Sequence, residues 1–412
     1  MQYFFILGRI PELSIVELLK FALFHEGKSF KVKEASEKFI ILETEQKIDL
    51  SFWQKQLGGI VKCGEIIKEI KEFKEEEVKE ILLRESGPTK VGSKIFFGLS
   101  FYFLTKKVSF NEIKNYSLSL KKIFREEGIS ASFILPKEKP FLSTAAIIKS
   151  KLLEKGKELV FLIEKDKILI GQTLSIQSIE EEAALDFLRP HHEIEKGLIP
   201  PKLAKILINL ASVRKEEVIL DPFCGSGTIL GQAFLMGYQH LLGSDQSQKA
   251  ISQTKENLNW LKERFKREAK PDTIQHLAEP GTVQYLAEIK IFQSDVKEIS
   301  RKLPPHSISA IITEPFLGPL QVQNQPQRII ENLSDLYIQA FESFKKILKP
   351  GGRVVIIFPI FFIGGKKINL PILEKISSLG WKQEKLSSVS RGSLIYSRPG
   401  QKVLREIFVF SS

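Results

Sequence analysis

The feature that most constrains this chain is an alternation that begins at Glu217. An apolar strand, a glycine turn and a helix follow one another, and the pattern then repeats. Strands are expected at Val218–Leu220, His240–Ser244, Lys290–Gln293, Ile308–Thr313 and Arg353–Phe358, with helices between them. Strands joined by crossover helices run parallel, so this predicts an α/β fold with a parallel sheet covered on both faces. The end differs. Trp381–Leu386 and Glu406–Phe410 read as strands with no helix between, which predicts an antiparallel pair closing the sheet.

The front half mixes its elements in another way. Tyr3–Leu7, Lys38–Leu42, Lys94–Phe103, Ala131–Leu135, Glu158–Glu164 and Lys167–Ser175 read as strands. Leu13–Phe24, Phe110–Glu127 and Ser143–Lys155 read as helices, which together make an α+β region. At 412 residues, two or three domains are expected. The boundary is placed at the acidic stretch Glu180 to Glu182 and at Arg189-Pro190-His191-His192. Beyond it, Leu198-Ile199-Pro200-Pro201 opens a helix with proline in its first turn, where a missing N–H costs little. Leu203, Ile206, Leu207 and Leu210 give that helix its buried stripe. Gln321 to Gln327 reads as a polar loop, and Lys266 to Tyr285 as an irregular insertion.

The net charge of +12 suits a polyanionic partner, but the excess is spread along the chain and does not say which half holds it. Two distant cysteines, Cys63 and Cys224, offer neither a disulfide framework nor zinc-ligand spacing, so no metal is expected and a reducing cytoplasm is. The opening run lacks a basic start and reads as a first strand. The most apolar run, Val354 to Ile363, contains Pro359 and is far shorter than the roughly 20 residues that span a bilayer. No membrane association is expected.

The strongest local signal is Asp221-Pro222-Phe223-Cys224-Gly225-Ser226-Gly227-Thr228, where a buried strand ends in an acid and a glycine turn leads into a helix. Gly225 and Gly227 allow close backbone approach, and the helix start adds free N–H donors. A carboxylate at Asp221 can accept from a cationic amine, such as the α-amino group of S-adenosylmethionine. Asp245 ends the next strand, about 20 residues on, where doubly wound folds grip ribose hydroxyls. Asp295 ends the third and reads either as an adenine contact or as a surface cap.

The fourth strand ends in Thr313-Glu314-Pro315-Phe316-Leu317. Amino-methyltransferases carry Asp, Asn or Ser here, then Pro-Pro and an aromatic. An exocyclic base amine is a poor nucleophile because its lone pair is delocalised into the ring. A side-chain oxygen and a proline-loop carbonyl that accept its two hydrogens restore that lone pair, and an aromatic ring stacks on the extruded base. Here glutamate, longer by one methylene and so by about 1.5 Å, replaces the usual residue. Leu317 stands in the aromatic place, so either Phe316 takes over the stacking or the site is altered.

With these motifs the chain resembles the THUMP-domain tRNA guanosine-N2 methyltransferases that act on guanosine at position ten. The start Leu7-Gly8-Arg9-Ile10-Pro11-Glu12-Leu13-Ser14 is similar to theirs. So are Leu185-Asp186-Phe187-Leu188-Arg189-Pro190, Gly197-Leu198-Ile199-Pro200-Pro201-Lys202-Leu203-Ala204, and Ser393-Leu394-Ile395-Tyr396-Ser397-Arg398-Pro399-Gly400. The resemblance implies a ferredoxin-like piece over 1–65, a THUMP RNA-binding domain over 66–175, a linker over 176–196 and a Rossmann-like methyltransferase over 197–412.

It implies S-adenosylmethionine as cofactor and tRNA as partner. Asp221, Pro222, Phe223, Gly225, Gly227, Thr228, Asp245, Asp295 and Thr313 then form the cofactor set, and Glu314, Pro315 and Phe316 the catalytic set. The need for an activating subunit is left open. Two other readings stay open: an adenine-N6 methyltransferase on DNA or RNA, and a tRNA-binding protein with a degenerate methyltransferase domain. In the front half, Lys106, Lys107, Lys114, Lys121, Lys122 and Arg125 surround Phe110, Tyr116 and Phe124. The basic residues are expected to grip phosphates and the aromatics to belong mostly to the core.

Overall fold

A computed structural model describes residues 1–26, 30–84, 94–104, 108–178, 184–191, 198–268, 287–319, 326–363, 365–388 and 391–412. Lys106, Lys107, the acidic stretch 180–182, His192, Gly197, residues 269–285 of the insertion and 321–325 of the polar loop lie outside the described residues. In chain order the front elements are β1 (Gln2–Leu7), α1 (Pro11–Glu26), β2 (Lys31–Ala35), β3 (Phe39–Glu43), α2 (Leu50–Gln56), β4 (Ile60–Ile70) and α3 (Glu75–Arg84). They continue with β5 (Lys94–Phe103), α4 (Phe110–Glu126), β6 (Ser130–Ile134), α5 (Thr144–Ser150), α6 (Leu152–Lys155), β7 (Lys157–Ile163) and β8 (Ile168–Ile176).

The chain forms two compact units. The first comprises 1–11, 26–55 and 60–179; the second comprises 12–25, 56–59 and 180–412. In the first, one sheet runs β2-β3-β1-β4-β8-β7-β5-β6. Apolar β1 lies inside it, paired with β3 on one side and β4 on the other. The division expected between residues 65 and 66 falls within β4, which also pairs with β8, so one sheet spans both expected pieces. The helix expected over Ser143–Lys155 is broken at Lys151, whose φ is +54°. That turn lets Leu152 join Leu142 and Ile147 in a small apolar cluster. On α4 the basic Lys114, Lys121, Lys122 and Arg125 face solvent. Phe124 is core, and Tyr116 stacks on Phe73 with centroids 4.0 Å apart.

The second unit adds α7 (Pro201–Ala211), β9 (Val218–Asp221), α8 (Thr228–Leu235), β10 (His240–Asp245), α9 (Gln248–Glu268), β11 (Glu288–Gln293), α10 (Ile299–Lys302), β12 (Ile308–Thr313) and α11 (Pro326–Ile347). It closes with β13 (Leu348–Ile363), β14 (Lys366–Asn369), α12 (Leu373–Ser378), β15 (Lys382–Glu384), β16 (Leu394–Tyr396) and β17 (Val403–Ser411). The strand order is β11-β10-β9-β12-β13-β17-β15. Pairing is parallel from β11 to β13 and antiparallel through β17 and β15. The order reverses between β9 and β12, and in such sheets ligands bind outside the carboxyl ends of the strands at that point.

Strand β13 runs past the expected end at Phe358. Its last register with β12 is at Ile356 and its first with β14 is at Ile360. Pro359, which has no N–H, falls in the gap between them and interrupts neither ladder. One face of the sheet is sealed by Phe341 and Phe344 of α11 against Phe358, Phe408 and Phe410.

Candidate active site

A cavity of about 1120 Å³ opens at the carboxyl ends of β9, β10 and β12. It exceeds the roughly 300–1,000 Å³ typical of a site for one small ligand. Asp221, Phe223, Cys224, Gly225, Ser226 and Thr228 line one wall with Asp245. Glu314, Pro315, Phe316, Arg398 and Arg405 line another.

The first wall is a backbone cradle. Cys224 N donates to the Ser244 carbonyl at 2.9 Å, and Gly227 N to the Cys224 carbonyl at 2.7 Å, so the turn is tied to β10 and closed on itself. Gly225 has φ +53°, and a Cβ built there meets no heavy atom within 4 Å: its outer side is open space. Gly227 is needed for another reason. Its φ is +84°, and an added Cβ would sit 2.9 Å from Thr254 Cγ2.

Asp221 is 2% exposed. Thr313 Oγ1 (2.6 Å) and Phe223 N (3.2 Å) both donate to its Oδ1. Among the described residues none donates to Oδ2. Burial pushes the Asp221 carboxyl up to about 7, against the pull of those two hydrogen bonds. Asp245 is clamped by Gly225 N on Oδ2 (3.1 Å) and Ser247 N on Oδ1 (2.9 Å). Each of its oxygens keeps a lone pair for a hydroxyl donor. A buried acceptor for a cationic amine, an open glycine turn and a clamped carboxylate one strand over fit the amino acid and ribose ends of S-adenosylmethionine.

The second wall is built on side chains. Glu314 lies just past β12, its side chain 12% exposed, and Arg405 of β17 grips it. Nε lies 2.5 Å from Oε1 and Nη2 3.4 Å from Oε2, while Nη2 also reaches the Leu198 carbonyl at 3.4 Å. Burial raises the Glu314 carboxyl above its ordinary range, and the Arg405 guanidinium opposes that shift. Removing one partner of such a buried pair costs about 3–5 kcal/mol. Phe316 is 63% exposed on the cavity wall. Its carbonyl accepts from the buried Tyr337 hydroxyl at 2.9 Å. Leu317, partly buried against the apolar core, lines the cavity too but carries no ring, so Phe316 is the aromatic ring the loop presents.

The cavity thus brings together Asp221, Phe223, Gly225, Thr228, Asp245, Glu314, Pro315 and Phe316 of the expected set. Pro222, Gly227, Asp295 and Thr313 are not in its lining. Thr313 stands behind Asp221 as its hydrogen-bond donor, and Gly227 serves close packing. Asp295 caps a short helical turn, accepting from Lys297 N at 3.0 Å. Thr228 reaches the wall, but its hydroxyl accepts from buried Arg189 at 2.8 Å. Sequence reasoning missed Arg405, Tyr337 and the Arg398-to-Val403 loop. For Arg405 a signal existed: Arg405-Glu406 is a charged pair inside the apolar run Val403 to Phe410. The described residues hold no cluster of groups suited to a metal ion and no helix long and apolar enough to cross a membrane.

Two family models match the chain. The UPF0020 model, described as an RMKL-like methyltransferase domain, covers residues 191–361. The N6/N4 methylase model, described as a DNA methylase, covers 35–256 and so ends before Glu314. A protein of Methanocaldococcus jannaschii named tRNA (guanine(10)-N2)-dimethyltransferase is 26% identical over 272 residues, 63% of this chain and 65% of that protein. One of the same name from Methanothermobacter thermautotrophicus is 26% identical over 196 residues, 47% of this chain and 48% of its own length. The matched part thus spans less than two thirds of either relative. Among solved structures, TrmN from Thermus thermophilus aligns over 100% of both chains with a TM-score of 0.55 at 16% identity, a likeness of fold.

Proposed function

Because the chain belongs to the S-adenosylmethionine-dependent methyltransferases, in the N6/N4 methylase family whose model matches more than half of it, we propose that it methylates the 2-amino group of a guanine in tRNA. The observation that carries this reading is that one cavity holds both a buried acceptor for a cationic amine, Asp221, and an arginine-clamped carboxylate beside an exposed aromatic ring, Glu314 with Phe316. Two relatives named for guanine-N2 methylation of tRNA support the choice of base, and the net charge of +12 supports a nucleic-acid substrate.

The cofactor supplies a methyl group on a positively charged sulfur that leaves as a neutral thioether. Asp221 holds the cofactor's ammonium and Asp245 its ribose hydroxyls. Phe316 stacks on the flipped base. Glu314 and the Pro315 carbonyl accept the two amine hydrogens and return the nitrogen lone pair to the attacking position. As the N–C bond forms, the nitrogen becomes cationic and Glu314 takes one of its protons. Cytoplasmic tRNA is the expected substrate. The first unit, read as a ferredoxin-like piece over 1–65 and a THUMP domain over 66–175, holds the tRNA, with the solvent-facing lysines of α4 on its phosphates.

The test is methyl transfer from labelled S-adenosylmethionine into unmodified tRNA and into DNA oligonucleotides, followed by digestion and mass spectrometry. Methylated N2 of guanosine is the expected product. N6-methyladenine from DNA, or no transfer into any substrate, overturns the proposal.

A further inference from the structure

We infer that Arg405 and Glu314 act together as the determinant of base choice, selecting an exocyclic amine that sits beside a ring N–H over one that sits beside a ring lone pair. The inference rests on the proposed guanine-N2 reading and adds the reason for it. A carboxylate has two oxygens with about four lone-pair sites. Arg405 reaches both oxygens, with Nε at 2.5 Å from one and Nη2 at 3.4 Å from the other, while Glu314 still lines the cavity. One edge of the carboxylate is thereby held and both oxygens keep acceptor sites for a base. The guanidinium also favours the ionised form, which only accepts hydrogen bonds.

That double acceptor matches one base edge. In guanine the N2 amine adjoins the N1–H, so two donors point the same way and both oxygens are used. In adenine and cytosine the amine adjoins an unprotonated ring nitrogen, and a carboxylate oxygen would face a lone pair. A buried site built for a donor rejects a partner lacking it far more strongly than a shape mismatch does. An amide in place of Glu314 would present one acceptor and one donor and lose this sign. The longer glutamate is therefore a residue that reads N1–H as well as the amine. Arg405 is its positioning residue, acting through Glu314.

The test compares full-length tRNA carrying guanine with tRNA carrying 2,6-diaminopurine at the methylated position. The analogue keeps the 2-amine but has a lone pair at N1. For the unaltered protein, kcat/KM is expected to favour guanine by about 10²-fold or more. In Glu314→Gln, whose amide can donate to N1, that ratio is expected to fall at least tenfold while cofactor affinity stays within threefold. Arg405→Lys is expected to keep the preference at reduced rate and Arg405→Met to lose it, a pattern that a merely structural arginine would not give. Equal use of the two bases by the unaltered protein, or a ratio unchanged in Glu314→Gln, overturns the inference and leaves guanine-N2 methylation standing. Absence of methyl transfer to guanine in any tRNA overturns both.

Discussion

The two walls of the cavity are built from different material. The wall at Asp221 and Gly225 is mostly backbone: a turn closed by main-chain hydrogen bonds, with a carboxylate fixed behind it by Thr313. The wall at Glu314 depends on side chains from distant segments, Arg405 of β17 and Tyr337 of α11. A backbone cradle can be formed by one short stretch of sequence, so its residues stay close to a pattern. A side-chain wall draws on residues far apart in the sequence, here Glu314 and the Arg405 that holds it.

Breaking the first wall gives the largest effect. Asp221→Ala removes the buried carboxylate proposed to pair with the cofactor's ammonium, and cofactor affinity measured by calorimetry is expected to fall about 10²-fold or more. Retained affinity would remove Asp221 from the cradle. On the second wall Phe316→Ala is expected to lower kcat/KM for tRNA by about 10- to 100-fold, since stacking on one base is worth about 1–3 kcal/mol. Cofactor affinity should be unchanged; a parallel loss of affinity would place Phe316 in the wrong wall.

A third effect is graded by pH. Burial pushes the Asp221 carboxyl up to about 7, well above an ordinary carboxylate. The fold thus holds this proton more tightly than the unfolded chain does. Stability from this group is complete below the ordinary carboxylate range near 4 and is lost as pH rises through about 7. Cofactor binding has the opposite sign, because only the ionised carboxylate pairs with an ammonium. Affinity is expected to rise as pH climbs toward 7, by up to about tenfold per unit. A flat profile between pH 5 and 8 would contradict this assignment.

Much of this was legible in the sequence. Hydrophobic periodicity and glycine turns located β9, β10, β11 and β12, and the family pattern put Asp221, Gly225, Asp245 and Glu314 where the cavity lies. What pattern could not show is which charged groups meet across long separations. Glu314 and Arg405 are 91 positions apart and become neighbours only because β13 sits between β12 and β17. Lys62 and Glu158, buried 2.6 Å apart in the first unit, were hidden in the same way. Local chemistry did not decide where one residue type serves two ends. Asp295 ends a strand where an adenine contact and a surface cap were both open, and it accepts from Lys297 N; Gly227, expected against the cofactor, is also packed close to Thr254.

The most direct test of the two-wall account is a paired measurement on Glu314→Ala: cofactor affinity by calorimetry, and turnover on unmodified tRNA by methyl incorporation. Affinity is expected to stay within about threefold of the unaltered protein, with turnover lower by about 10²-fold or more. Unchanged turnover, or a cofactor affinity that collapses together with turnover in a protein that remains folded, would contradict it.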